Sequence, residues 1–193
     1  MVKQPFFKTI MCIKRIYSLA SSWALLVLSR SAAESLPGLQ VGEKTPPVSL
    51  QNSAGEIVLL SQLFESGPVA LVFVRSADWC PHCRRQLVEL EAGREAVEST
   101  GGRIVAVSYD APATNAAAVA KLKLTYPLLS DEGSRAIDAF GIRNHEAKGK
   151  GAGIPHPTIF VVDRTGTIRA KLARENYRER PESAEIAAAF EAL

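Results

Sequence analysis

The sequence predicts an α/β layered fold, and three observations carry that expectation. Three apolar runs, PVALVFVR (68–75), RIVAVSYD (103–110) and TIFVVD (158–163), have the near-continuous hydrophobicity of strands buried on both faces. Segments of helical character separate them. A Cys-x-x-Cys pair, Cys80 and Cys83, directly follows the first run. Alternating buried strands and helices imply helices layered on a mostly parallel sheet, and a closing hairpin adds an antiparallel edge.

The elements follow in order. VGEKTPPVSL and EIVLL are short β-prone runs joined by the turn-rich QNSAG. After strand 68–75 comes a helix over 80–99, with Pro81 in its first turn and Cys83, Leu87, Leu90 and Val97 near one face. Gly101 and Gly102 end it, and 103–110 is the second core strand. ATNAAAVAKLKL is a helix, YPLLSDEG a short extended piece, and SRAIDAFGI another helix with Gly141 at its end. After strand 158–163, RTG turns into TIRAKL as an antiparallel partner. PESAEIAAAFEAL closes the chain as a helix with a capping pattern.

Charge separates the N-terminus from the rest. Residues 1–33 carry Lys3, Lys8, Lys14, Arg15 and Arg30 and no acid, so the overall +3 leaves −2 for the remainder. That is no electrostatic footprint for nucleic acid. The basic stretch is followed by 13 uncharged residues, IYSLASSWALLVL, and then by small residues at Ser31 and Ala33. This is the three-part pattern of a secretory signal cleaved before Glu34. The run is short for a transmembrane span, so a membrane contact arises only if the leader stays as an anchor. The reading is therefore a signal peptide or N-terminal anchor over 1–33, one domain over 34–193, and export to the periplasm. Cys12 leaves with the leader.

The exported domain then holds two cysteines. Cys80 and Cys83 close a loop too small to constrain the unfolded chain much, so a structural staple explains them poorly. Their place explains them better, because chemistry in open α/β sheets gathers at the carboxyl ends of strands. At a helix N-terminus, unpaired N–H groups and the helix dipole stabilise a thiolate on Cys80. Cys83 lies one turn deeper. Cys80 is thus the attacking thiol and Cys83 the one that resolves a mixed disulfide from behind. A protonated His82, with Arg84 and Arg85, would favour the Cys80 thiolate, and Asp78 opposes. The alternative for His82 is a solvated first-turn residue. A zinc site needs two further ligands, and the chain offers only His82, His145 and His156; no metal is expected. In GIPHPTIFVVD, a proline stands immediately before a core strand, where its missing N–H is tolerated. A cis peptide at Pro157, followed by Thr158, would leave a short backbone edge for a bound partner; a plain trans loop is the alternative.

Trp79-Cys80-Pro81-His82-Cys83 resembles the active-site motif of the thioredoxin-like superfamily, and His156-Pro157-Thr158 its cis-proline loop. From about residue 40 to 190 the chain resembles the redoxin (AhpC/TSA, peroxiredoxin-like) branch, through its opening VGEKTPPVSL…GEIVLLSQL, through RIVAVSYD with YPLLSDEGSRAIDAFGI, and through PTIFVVDRTGTI. The resemblance implies a thioredoxin-like fold: a central mixed sheet flanked by helices with an N-terminal redoxin β-hairpin. It also implies a redox-active Cys80–Cys83 disulfide, supported by Trp79, Pro81, His82, Pro157 and Thr158, and no organic cofactor. Arg75 and His156 are tuning candidates.

Departures from the family pattern limit what carries over. Peroxiredoxins typically place a proline seven residues, and a threonine or serine three residues, before the peroxide-reactive cysteine. Phe73 and Ala77 stand at those positions here, and Ser76 is out of register. Reductases of the ordinary thioredoxin kind carry a buried carboxylate six residues before their first cysteine; here it is Val74. The CPHC itself resembles that of exported dithiol oxidases, whose large helical insertion this chain has no room for. The Gly- and Lys-rich RNHEAKGKGAG (143–153) reads as a rim facing the site or as a solvated loop. Three functions are therefore weighed. The first is an exported thiol–disulfide oxidoreductase whose partners are protein thiols or disulfides. The second is a peroxiredoxin-like thiol peroxidase acting on hydroperoxide, with Cys80 peroxide-reactive, Cys83 resolving and a reducing partner. The third is a metal-binding role, for which the ligands are sparse.

Overall fold

The computed structural model describes residues 36–193; the leader, its cleavage point and Cys12 lie outside the described residues. Seven strands form one sheet in the order β2-β1-β5-β4-β3-β6-β7. They are β1 Ser49–Gln51, β2 Ile57–Leu59, β3 Val69–Phe73, β4 Arg103–Ser108, β5 Leu128–Ser130, β6 Thr158–Val162 and β7 Ile168–Ala173. The helices are α1 Pro81–Ala92, α2 Arg94–Glu98, α3 Pro112–Leu122, α4 Arg135–Ala139 and α5 Ser183–Glu191, with short 3₁₀ turns at Leu60–Phe64 and Gly149–Gly151.

The sheet is mixed, as the resemblance implies, with fewer parallel pairs than the alternation of strands and helices alone suggests. Only β3 with β4 and β4 with β5 pair in parallel. β6 runs antiparallel to β3, with Phe73 opposite Thr158. The helical crossovers α1–α2 and α3 return the chain to lay β4 and β5 parallel to β3. β6 instead arrives after α4 and the long 143–157 segment, on the far side of β3 and in the opposite sense. The N-terminal hairpin is present but short, because Pro46 and Pro47 remove ladder donors just before β1.

β3 shows why its run is apolar on both faces. Val69, Leu71 and Phe73 pack on one side with Leu60, Phe64, Phe140 and Phe160. Ala70, Val72 and Val74 pack on the other with Leu87, Leu90, Ile186 and Phe190. Phe73, the residue at the family's proline position, anchors an aromatic cluster. Its ring centroid lies 4.9 Å from that of Phe140 and 6.0 Å from that of Phe160.

The expected single helix over 80–99 is two, broken at Gly93. A Cβ on Gly93 would come within 2.1 Å of Ser183 Oγ, so close approach of the start of α5 fixes a glycine there. Among the described residues no helix is long and apolar enough to cross a membrane.

Candidate active site

The site is built where β3 ends. Val74 N–H still donates to Val107 O at 2.9 Å, and the chain then leaves the sheet toward Cys80. One acid, Asp110, two residues past the end of β4, gathers the segment. Asp110 accepts from Ser76 Oγ (2.9 Å), Ala77 N–H (2.7 Å) and Ser108 Oγ (3.1 Å). Ser76 Oγ in turn accepts from the N–H groups of Asp78 (3.1 Å) and Trp79 (3.2 Å). The Ser108 hydroxyl also lies 2.8 Å from Asn115 Oδ1, and Asn115 Nδ2 donates to Leu129 O at 3.1 Å. These groups are buried, and buried polar groups so bonded fix one geometry. Sequence reasoning missed this rivet. The signal for it was an acid at the carboxyl end of a core strand.

Cys80 is the N-cap of α1, extended at φ −90° and ψ 106°, with Pro81 at the first helical position. Its Sγ accepts the Cys83 N–H at 3.3 Å, so the helix N-terminus offers its donor to this sulfur as expected. Cys80 and Cys83 are joined as a disulfide with Cα atoms 5.3 Å apart. Both cysteines are buried in the disulfide form, Cys80 at 2% exposed and Cys83 at 0%. Trp79 Nε1 donates to the Tyr109 hydroxyl at 3.0 Å, which donates to Lys150 O at 2.6 Å. The 143–153 loop therefore does face the site. The Lys150 ammonium lies 5.9 Å from the Trp79 ring centre and 3.9 Å from Asp78.

The other side of the disulfide is cationic. The Arg75 guanidinium lies 4.7 Å from the Tyr177 ring centre and 5.5 Å from that of Trp79. Arg180 Nη2 approaches Cys83 Sγ at 4.0 Å, and Nη1 donates to Glu179 O at 2.9 Å. The Nε atoms of both arginines are buried without a partner. Burial, and then repulsion from Arg75 and Arg85, lower the Arg180 guanidinium to about 10. Arg180 gave no signal in the sequence, since it reaches the pair from 97 residues away. Arg84 and Arg85 point elsewhere, Arg84 to Asp78 O and Arg85 to Glu89.

His82 packs edge-on to Tyr177, 6.1 Å between ring centres. In the disulfide form desolvation, then repulsion from Arg85, Arg180, Arg178 and Arg75, lowers its pKa from the ordinary value. The cations beside the pair are arginines. One expectation is corrected, at Pro157: no described peptide bond is cis. Pro155 is bridged to Arg143 and His156 N–H donates to Ile142 O at 2.7 Å, so the chain runs extended into β6 with a trans peptide. Pro157 does stand immediately before β6, and the Thr158 hydroxyl donates to His156 O at 3.0 Å. His156 is exposed and bonds to neither cysteine through its side chain. Among the described residues no group of three or more His, Cys, Asp or Glu could hold a metal ion.

The family model described as the AhpC/TSA family matches residues 41–171. Chloroplastic peroxiredoxin Q of Sedum lineare is 30% identical over 128 residues, covering 66% of this chain and 66% of that protein. The peroxiredoxin Q of Suaeda salsa is also 30% identical, over 66% of this chain and 57% of its own length. The chain thus spans under two thirds of the length of these curated relatives. Among solved structures, peroxidoxin BcpB from Mycobacterium tuberculosis superposes with a TM-score of 0.69 at 22% identity, covering 80% of this chain and 98% of that one. Xanthomonas campestris peroxiredoxin Q gives 0.65 at 21% identity, over 80% and 96%. At such identities the structures speak for the fold alone.

Proposed function

The chain belongs to the AhpC/TSA family, and from that premise we propose that it is a peroxiredoxin-like thiol peroxidase. The observation that carries the reading is the outer sulfur on the helix N-cap with its resolving partner bonded to it one turn deeper. The Cys80 thiolate, stabilised by the Cys83 N–H, attacks the terminal oxygen of a hydroperoxide. The O–O bond breaks, the alkoxide takes a proton and leaves as alcohol, and Cys80 becomes a sulfenic acid. Cys83 then displaces hydroxide to form the disulfide. A partner dithiol, itself oxidised to a disulfide, returns both cysteines to thiols. No organic cofactor enters this cycle.

A second reading is favoured by one observation. Ala77 offers no hydroxyl at the family's threonine position, and the Ser76 hydroxyl beside it is committed to Asp110. A site so lacking would serve thiol–disulfide exchange with protein partners. Stopped-flow mixing of reduced protein with hydrogen peroxide separates the two, with Trp79 fluorescence as reporter and Cys80→Ser as control. Oxidation orders of magnitude faster than that of a free thiolate is expected. An ordinary thiol rate would leave dithiol exchange in its place. Export of the domain, directed by residues 1–33, is part of the same proposal. N-terminal sequencing of protein from a periplasmic fraction, beginning at Glu34, is the expected result; recovery with the leader attached would make it an anchor.

A further inference from the structure

The mechanism above leaves one buried charge unused. Among the described residues Arg180 forms no salt bridge with a carboxylate. Its surroundings are the cations Arg75 and Arg85, the phenol Tyr177, the His82 ring, Glu89 and Glu182 across the same cleft and, at 4.0 Å, the sulfur of Cys83. A part-buried guanidinium among like charges is costly unless an anion offsets it. In the disulfide neither sulfur carries a charge, and Glu89 and Glu182, which line the same cleft, make no salt bridge to Arg180 among the described residues. Reduction creates an anion, and the sulfur nearest the guanidinium is Cys83, not Cys80.

We propose that Arg180 is a catalytic residue of the second half of the cycle, holding Cys83 as the thiolate that forms the disulfide and that leaves when the disulfide is reopened. This rests on the peroxidase reading. On oxidation, the Cys83 thiolate attacks the sulfur of the Cys80 sulfenic acid. The S–S bond forms, the S–O bond breaks, and hydroxide departs to be protonated to water. Cys83 is oxidised and Cys80 reduced from the sulfenic to the disulfide level. On reduction, the thiolate of a partner dithiol attacks the Cys80 sulfur, the one at the N-cap of α1. The Cys83–Cys80 bond breaks, and its electron pair goes to Cys83 beside Arg180.

The surroundings explain why a cation is needed. Cys83 is packed among Val74, Leu87 and other apolar side chains, and such burial alone raises a thiol's pKa. No base stands on the β3 side, where Val74 is fully buried. Arg180 approaches from the opposite side, on the segment between β7 and α5. It offsets the desolvation of the thiolate without needing to accept a proton.

The test is a titration of Cys83 alone. Thiolate absorbance is followed against pH in the full chain carrying Cys12→Ser and Cys80→Ser, with and without Arg180→Gln. Arg180→Gln is expected to raise the Cys83 midpoint by a unit or more, and Arg180→Lys to restore most of the loss. Arg180→Met, which keeps the apolar stem, carries the same expectation as Gln should Gln destabilise the fold. In the protein with both active cysteines, disulfide formation after a peroxide pulse should slow by about threefold at pH 7 in Arg180→Gln, because a one-unit rise cuts the thiolate fraction about tenfold while making the remaining thiolate more nucleophilic. Its pH dependence should move up with the thiol. An unchanged Cys83 midpoint in the neutral variants overturns the proposal, as does a Lys variant that behaves like Gln. The titration uses no peroxide, so a protein that fails as a peroxidase still decides the role of Arg180.

Discussion

Removing the Asp110 carboxylate should loosen the segment that presents Cys80. Asp110→Ala takes away the acceptor of three buried donors: Ala77 N–H, the Ser76 hydroxyl and the Ser108 hydroxyl. The hydroxyls can rotate, and Ser108 already has Asn115 Oδ1 within 2.8 Å. The Ala77 N–H is fixed by the backbone and is left without a partner. A buried donor so orphaned costs about 1–3 kcal/mol, and each hydrogen bond to a charged acceptor contributes about 1.5–3 kcal/mol. With partial rescue of the hydroxyls, the total is about 3–5 kcal/mol. For a domain of this size that lowers Tm by about 10 °C. Asp110→Asn keeps one carbonyl oxygen and should lose roughly half as much. Calorimetry on the oxidised protein is the assay, so that the disulfide is the same in every variant. A double-mutant cycle with Ser76→Ala should give a coupling of about 1–2 kcal/mol. An Asp110→Ala protein that melts within two or three degrees of the parent, by the same order-of-magnitude scaling, would refute the rivet.

Other expectations follow from single contacts. Ala77→Thr restores a hydroxyl three residues before Cys80 and should speed the reaction with hydrogen peroxide by about tenfold, the value of about 1.4 kcal/mol in the barrier; stopped-flow rates check it, and a slower variant would mean the buried position has no room for the side chain. Gly102→Ala would bring a Cβ to 2.4 Å from Phe190 Cε2, so overpacking should cost about 1–3 kcal/mol in a urea titration. Asp163 is a pH-sensitive carboxylate: burial alone would raise its pKa, but donors from Thr165, Thr167 and Arg169 outweigh that and hold it well below its ordinary value. Its stabilisation is therefore complete above the unfolded value of about 3.9 and is lost as pH falls through the lower folded one. The Tm gap between the parent and Asp163→Asn should be wide at pH 7 and narrow below about pH 4; a gap that does not change with pH would disprove the assignment.

The sequence made the core strands and the outer–inner cysteine pair legible because their signals are local. PVALVFVR is apolar in every direction it faces, and Cys80-Pro81 is a helix start by composition alone. The sense of β6 was not legible. Nothing in TIFVVD distinguishes a parallel from an antiparallel neighbour; that depends on how 143–157 carries the chain across β3. His82 was only partly legible for a related reason. Its place between two thiols suggested an imidazole that supports a thiolate. Desolvation and its neighbours in space, Arg85, Arg180, Arg178 and Arg75, push its pKa down in the disulfide form. The rivet at Asp110 and the approach of Arg180 join residues 33 and 97 positions apart; the acid at the end of a core strand was visible, but its partners were not.

The two sulfurs are thus served by different kinds of group, and this bears on how the site can be tuned. Cys80 relies on a backbone donor, the Cys83 N–H, which substitution cannot remove while α1 persists. Cys83 has only a side chain nearby, and side chains vary. A change at Arg180 would leave the outer sulfur its helix terminus while altering how readily the inner one gives or takes an electron pair. A tenfold shift in the exchange equilibrium is about 30 mV for a dithiol couple, so loss of the guanidinium would bias the pair toward keeping its disulfide. The direction of electron flow at this CPHC would then be decided from the segment between β7 and α5, and the histidine inside the motif would follow the charge around it.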